Sequence, residues 1–380
     1  MSAEPLVLTP ALSDARRSAA AAVSPSGLAV EPLAAPLEAA WDRYVRAAPD
    51  ATFFHQLGWR WLVERCFGHR AHYLVARRSH QGESRIAGVL PLFEMKSLLF
   101  GHSLVSIPFA IGGGVAADDA ETAGALLAEA KSLAERVGVD YLELRSEKPL
   151  PDAVSDSLLT KDLYCTFRSD LTVGEDVWLQ RMERKRRQMM NYVGRAGFSW
   201  RVAGLEELPL FYRLFSESMR HHGTPVYPKL FLREILDRHP EQTHLFFVSH
   251  GGKTVAGTLT LLFRDVIMPF YAGSARSEGN ERPRGVDDYL YLAILRWGRE
   301  NGYRTFDFGR SKRGTGAYAF KARWGMDEVP LAYQYHLVRG RELPNVSPAN
   351  PKYQALIRVW QKLPLPVTQL LGPRIIRRIP

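Results

Sequence analysis

Ala71-His72-Tyr73-Leu74-Val75-Ala76, a charged turn, and Ile86-Ala87-Gly88-Val89-Leu90-Pro91-Leu92-Phe93 read as two apolar runs of strand length folded into a β-hairpin. The pattern returns as Thr243-His244-Leu245-Phe246-Phe247-Val248, the turn Gly251-Gly252-Lys253, and Val255-Ala256-Gly257-Thr258-Leu259-Thr260-Leu261-Leu262. Behind each hairpin comes a helical stretch closed by glycine, and then a strand. In the first copy these are 126–137, Gly138 and Tyr141-Leu142-Glu143-Leu144-Arg145-Ser146. In the second they are 290–299, Gly302 and Thr305-Phe306-Asp307-Phe308-Gly309-Arg310-Ser311. Two ordered matches at nearly constant offset predict a duplicated unit.

The units are placed at 28–165 and 166–342, between a disordered lead-in over 1–27 and a separate tail over 343–380. Helix, antiparallel hairpin, further strand, helix and strand make an α/β (α+β) unit with a mixed sheet. That order is similar to the acyl-CoA N-acyltransferase-like (GNAT) domains, in which a strand pair splays and the acyl donor enters the gap. The expected architecture is two tandem GNAT-like domains, with the active site in the second.

A chain of 380 residues that is 46% hydrophobic can build two substantial cores. Its formal charge of +10 favours anionic partners, namely phosphorylated sugars, tRNA or an anionic membrane face. The two cysteines, Cys66 and Cys165, have no metal-like spacing; both read as core residues of a cytoplasmic protein, and no metal is expected. The stretch 18–23 is too short for the core of a signal peptide. Between 97 and 117 no charged residue occurs, which matches a membrane span in length. His102, Pro108 and Gly112-Gly113-Gly114 oppose a helix there, so buried strands are expected.

The densest chemical signal is Phe306-Asp307-Phe308-Gly309-Arg310-Ser311-Lys312-Arg313-Gly314-Thr315-Gly316-Ala317-Tyr318-Ala319-Phe320-Lys321-Ala322-Arg323-Trp324-Gly325. A strand ends at Gly309 in a loop of cations and glycines, a composition that lets backbone approach an anionic ligand. Arg310, Ser311, Lys312, Arg313 and Thr315 are candidate phosphate or substrate contacts, with Tyr318, Phe320 and Trp324 behind them. A second basic segment, 182–195, has helical spacing and offers Lys185, Arg187, Asn191 and Arg195. A third, 218–227, mixes imidazoles, a hydroxyl and a phenol, so His222, Thr224 and Tyr227 are candidates for an acceptor pocket. Solvated basic faces and structural histidines are the alternative reading of these three segments.

Three of these stretches resemble the FemAB family of aminoacyl-tRNA-dependent peptidyltransferases. They resemble still more closely the FemAB-like proteins associated with exosortase (PEP-CTERM) and exopolysaccharide systems. The likeness rests on the Gly-x-Tyr-x-Phe-Lys-x-x-Trp-Gly run at 316–325, on the basic helix Lys185-Arg186-Arg187-Gln188-Met189-Met190-Asn191-Tyr192, and on Phe54-His55-Gln56-Leu57-Gly58-Trp59. It implies that Lys321 stabilises negative charge on the reacting acyl oxygen. No Ser-His-Asp or Cys-His arrangement stands out, so an acceptor amine is expected to attack directly.

The resemblance implies a transferase moving an aminoacyl or acyl group from aminoacyl-tRNA or acyl-CoA, with no tightly bound cofactor. The implied acceptor is an amine on a phosphorylated or lipid-linked saccharide, a precursor of peptidoglycan or exopolysaccharide. An acyl-CoA-dependent N-acetyltransferase and a non-catalytic anion-binding protein are the alternatives. Arg276-Ser277-Glu278-Gly279-Asn280-Glu281 stands where a GNAT enzyme binds pyrophosphate, with the carboxylate of Glu281 in place of a small residue. The tail carries Tyr353, Leu356, Val359, Trp360 and Leu363 at helical spacing, then Leu370, Leu371, Ile375 and Ile376 among arginines. It suits either a basic amphipathic contact with the inner face of a membrane or a helix packed on the second unit.

Overall fold

A computed structural model describes residues 27–97, 101–275, 282–344 and 351–379. All of the lead-in but Gly27, and the Arg276–Glu281 segment compared with a pyrophosphate loop, therefore lie outside the described residues.

Both hairpins form, as Leu74–His80 with Glu83–Leu90 and as Thr243–His250 with Lys253–Phe263. In the first, Arg77-Arg78-Ser79-His80 continue the strand out of the core and the turn comes later, at Gln81 and Gly82, both with positive φ. The helices behind the hairpins span Ala120–Val137 and Val286–Glu300. The first begins earlier than hydrophobic periodicity alone indicates, because the Asp119 carboxylate accepts the Thr122 N–H and caps it.

Each unit contains one parallel strand pair bridged by its helix: Gly101–Val105 with Tyr141–Ser146, and Val266–Ser274 with Thr305–Asp307. All other pairings among the described strands are antiparallel, so the duplication is visible in topology. The uncharged stretch resolves into Gly101–Val105, a buried loop over 106–115, and the short strand Ala116–Ala117. No described helix is long and apolar enough to cross a membrane.

The strands form three sheets. Four strands, Leu28–Pro32, the first hairpin and Ala116–Ala117, make one. Eight make the sheet of the second unit, running from Phe198–Ala203 through the second hairpin to Tyr164–Asp170, Ser311–Lys312 and Asp327–Pro330. The third, of six strands, is built on Tyr141–Ser146 but also holds Ala332–Leu337, which comes from the far end of the second unit. Ala332–Leu337 therefore joins a sheet otherwise formed by strands between residues 70 and 161.

The second unit's core gathers Phe306, Phe308, Leu290, Ile294 and Trp324, each contributing on the order of 1.5–3 kcal/mol through burial. Cys165 lies in this core, whereas Cys66 is only part-buried. In the tail, Pro351–Lys362 and Leu365–Ile376 are helices. Trp360, Thr368, Gly372 and Ile376 are buried, and a Cβ at Gly372 would meet the Val226 backbone at 2.8 Å. The tail thus packs on the second unit along one side.

Candidate active site

Val266–Ser274 and Thr305–Asp307 pair at only two positions, Val266 with Thr305 and Ile267 with Phe306, and then separate. The gap they leave opens into a cavity of about 290 Å³. Pro269 to Ala272 line one side and Phe308, Gly309, Arg310 and Lys321 the other. Tyr227, Tyr291 and Arg145 also face it, the loop residues Phe109, Ala110 and Ile111 come from the first unit, and Ile376 and Ile379 from the tail. Among the described residues no Asp or Glu lines the cavity. Three cations without a carboxylate wall make it a site for an anion or for a carbonyl oxygen gaining charge.

Lys321 stands on the short helix Gly316–Ala322, whose N-cap Thr315 accepts the Tyr318 N–H at 3.3 Å. Its Nζ donates to the carbonyls of Phe308 at 2.7 Å and Gly309 at 3.0 Å. Burial pushes the Lys321 ammonium down to about 8, with the charge of Asp307 acting in the opposite direction. Asp307, itself buried, accepts the Gly309 N–H at 2.7 Å and Arg168 Nε at 2.7 Å, and also bonds Thr166 Oγ1. Arg168 in turn donates to Glu147 at 2.6 Å. Gly309 has φ of 71°, which glycine adopts at little cost, and a Cβ there would sit 3.2 Å from Ile111.

Arg310 donates to Tyr333 Oη at 3.1 Å and lies over the Tyr164 ring at 4.9 Å, with no carboxylate partner among the described residues. Beside it in the cavity is Arg145, buried and paired with Glu143 at 2.9 Å. Tyr227 Oη is held protonated by burial, and its ring tilts against Tyr271 at 5.0 Å.

The first unit's contribution is a braced loop. Trp59 Nε1 donates to Pro108 O at 3.2 Å, Tyr271 Oη to Phe109 O at 3.3 Å, Tyr333 Oη to Ile111 O at 2.9 Å and Thr52 Oγ1 to Gly112 O at 2.7 Å. His55 Nε2 meets Gly114 O at 3.0 Å, and burial pushes this imidazole down to about 4. Ile107 and Phe109 hold positive φ of 51° and 62°, strained values for non-glycine residues, against this bracing. The Phe54–Trp59 segment thus acts by shaping the loop.

Of the candidate residues, Lys321, Arg310 and Tyr227 come together in the cavity; the others lie elsewhere. Ser311 and Lys312 form a short strand against Tyr164 and Cys165. Arg313 is paired with Asp162 and with Glu328, and Tyr318 Oη donates to Glu328 at 2.7 Å, so both clasp the motif's outer side. Phe320 and Trp324 pack behind Lys321. On the basic helix Arg184–Val193, Lys185 and Asn191 point to solvent, as does Arg195 just beyond it, and Arg187 donates to Gln180 O at 2.8 Å. The buried member is Arg186, ion-paired with Asp288 and stacked on Phe320 at 4.6 Å. His222 is exposed and Thr224 lies off the cavity.

Asp307, Arg145 and the tail isoleucines escape a reading for catalytic patterns. Asp307 and Arg145 carried one available signal: Asp307 is a charge in an apolar run, and Arg145 shares an otherwise largely apolar strand with Glu143, so each must find a partner on folding. The loop and tail contacts are tertiary and leave no local signature.

Residues 179–322, which hold both strands of the gap and Lys321, match a family model described as an acetyltransferase (GNAT) domain. By that match the chain is an acyltransferase in class. Among solved structures, FemX superposes with a TM-score of 0.62 at 15% identity, covering 86% of this chain and 99% of that one. The C-terminal domain of a putative lysylphosphatidylglycerol synthetase from Agrobacterium fabrum gives 0.52 at 16% identity, over 73% and 87%. A tandem GNAT protein from the clavulanic acid biosynthesis pathway gives 0.50 at 14% identity, over 83% and 100%. At these identities the likeness is one of fold, two GNAT-like halves in tandem. No curated protein sequence matches the chain.

Proposed function

We propose that the chain transfers an aminoacyl or acyl group to an amine on a cell-envelope or exopolysaccharide precursor, in the gap between strands Val266–Ser274 and Thr305–Asp307. The carrying observation is Lys321, which lines that gap and spends two of its three N–H donors on the carbonyls of Phe308 and Gly309. The third donor is left for the substrate. Attack of the amine nitrogen on the donor carbonyl forms the C–N bond and an oxyanion, which the ammonium stabilises more than it does the neutral ester. Collapse breaks the ester or thioester bond, and the surplus proton of the amine leaves with the departing oxygen or sulfur.

Arg310, with no carboxylate partner among the described residues, suits a phosphate of donor or acceptor, and Tyr227 borders the same space. The acceptor we favour is a phosphorylated or lipid-linked saccharide, and the donor aminoacyl-tRNA. On this reading residues 28–165 shape the pocket and residues 166–342 supply the chemistry. A second reading, acyl-CoA-dependent N-acetylation, is favoured by the family match over 179–322.

Titrating the purified protein with acetyl-CoA and, separately, with charged tRNA tests the donor. Transfer is then followed to an amine acceptor by wild type and Lys321→Ala. Salt-sensitive tRNA binding with transfer lost in the variant supports the first reading, and saturable acetyl-CoA binding with transfer the second. Transfer undiminished in Lys321→Ala would refute the assigned role.

A further inference from the structure

From residue 351 to the end the sequence has no Asp or Glu and six cations: Lys352, Arg358, Lys362, Arg374, Arg377 and Arg378. Among the described residues, five of the nine large hydrophobic side chains that stand exposed belong to these last two helices. They are Leu356, Val359, Leu370, Leu371 and Ile375, the first and third more than 60% exposed. Interspersed with them, Arg358, Lys362, Arg374, Arg377 and Arg378 are also exposed. Isolated surface leucines need no explanation, but a concentration of them in a segment of one charge sign marks an interaction surface.

The same segment is anchored from within. Arg220 donates to Leu363 O at 3.2 Å, Gln361 to His221 O at 2.8 Å, and His69 Nε2 meets Arg377 O at 2.7 Å. Its inner residues Ile376 and Ile379 wall the cavity that holds Lys321. The exposed apolar side chains are therefore an outer layer on a docked element, not one side of a helix awaiting its place in the core.

We propose that the two C-terminal helices rest on an anionic membrane surface. Their exposed leucines and valine enter the headgroup and acyl boundary, and the arginines and lysine meet lipid phosphates. Neither helix is apolar enough to span, so the contact is peripheral. Apolar burial combined with a polybasic set is what reversible binding to anionic bilayers requires. The placement deepens the transfer reading, and rests on it, in one respect: a lipid-linked acceptor would reach the cavity past Ile376 and Ile379.

The test uses the full chain and extruded vesicles of phosphatidylcholine, with or without phosphatidylglycerol, followed by co-sedimentation. Neither donor nor acceptor is present, so the surface is judged separately from the transfer chemistry. The protein is expected to bind the anionic vesicles, to release at high salt, and to bind at least tenfold more weakly as Leu356→Glu/Leu370→Glu and as Arg374→Glu/Arg378→Glu. These side chains are exposed, and an unchanged melting temperature would show that the variants are folded. Absent binding, or equal binding by wild type and both variants, would overturn the proposal. So would a stable dimer that Leu370→Glu dissolves in the absence of vesicle binding, which would assign the surface to a second copy of the chain.

Discussion

The Asp307 carboxylate accepts the Gly309 N–H at 2.7 Å and thereby fixes the turn whose two carbonyls hold the Lys321 ammonium. A buried acid that does not itself line the cavity thus sets the position of the cation that does. The repeat treats the equivalent strand position in the same way, since Glu143 occupies the third place of its strand and also pairs with an arginine. In one copy the carboxylate braces Arg145; in the other it braces Gly309 and Arg168.

Asp307→Asn should keep the turn's hydrogen bond while removing the charge that supports protonated Lys321. The alkaline limb of the pH–rate profile should move to lower pH, and kcat should fall about 10–100-fold, the scale seen when an outer-shell partner is lost. A profile with an unmoved limb would restrict Asp307 to a folding role. Stability should drop as well, by about 1–3 kcal/mol, because Arg168 keeps its charge with Glu147 as its one remaining anionic partner.

Lys321 gives a pH dependence whose sign distinguishes two mechanisms. If the ammonium stabilises the oxyanion, transfer should be maximal below pH 8 and fall as pH rises through about 8. A general base at the same position would give a rate that rises through that pH instead. Initial rates from pH 6 to 10 separate the two.

Stability should run opposite to activity at this residue. The folded-state value lies below that of the unfolded chain, so the unfolded state binds the proton more tightly. The resulting penalty is present below about pH 8, shrinks between there and the ordinary lysine value of 10.5, and vanishes above it. Lys321→Met should abolish transfer and lose the two bonds to the Phe308 and Gly309 carbonyls at every pH. Because the variant escapes the charge-burial penalty, its melting temperature should compare better with that of wild type at pH 7 than at pH 11.

Arginines of the motif should divide by their surroundings. Arg313→Ala removes exposed ion pairs to Asp162 and Glu328 and should change stability by about 0.2–1 kcal/mol with kcat nearly unchanged. Arg310→Lys keeps a charge in the cavity but loses the planar fork, and KM for a phosphorylated substrate should rise about tenfold or more. Steady-state kinetics of both variants with one substrate decides the matter.

Gly372→Val should push the last helix away from the Val226 backbone, which a Cβ at that position already meets at 2.8 Å. The expected result is faster proteolysis after residue 362, together with an altered KM, because Ile376 and Ile379 leave the cavity wall.

The duplicated unit was legible because hairpins and glycine-closed helices are local patterns; Tyr141–Ser146 even begins and ends where alternation in the sequence places it. Lys321, Arg310 and Tyr227 were legible as chemistry-bearing types beside glycines and aromatics. The basic helix misled, because the sequence shows four cations in it but not that Arg186, through Asp288 and Phe320, is the one turned inward. Arg313 and Tyr318 misled for a related reason: the carboxylate of Glu328 that occupies them comes from a later strand. The loop carrying Phe109 and Ile111 reads as buried strand; it is buried, but its course could not be read, since its shape is held by side chains from residues 52, 55, 59, 271 and 333.

The strand Ala332–Leu337 lies along Tyr141–Ser146 over six consecutive residue pairs, after the chain has already passed through the motif that carries Gly309 and Lys321. The two halves are therefore stitched together, and a hinge that swung them apart would have to tear a sheet. An expressed fragment ending near residue 322 would lack the stitch, leaving Tyr141–Ser146 with an open edge that invites aggregation.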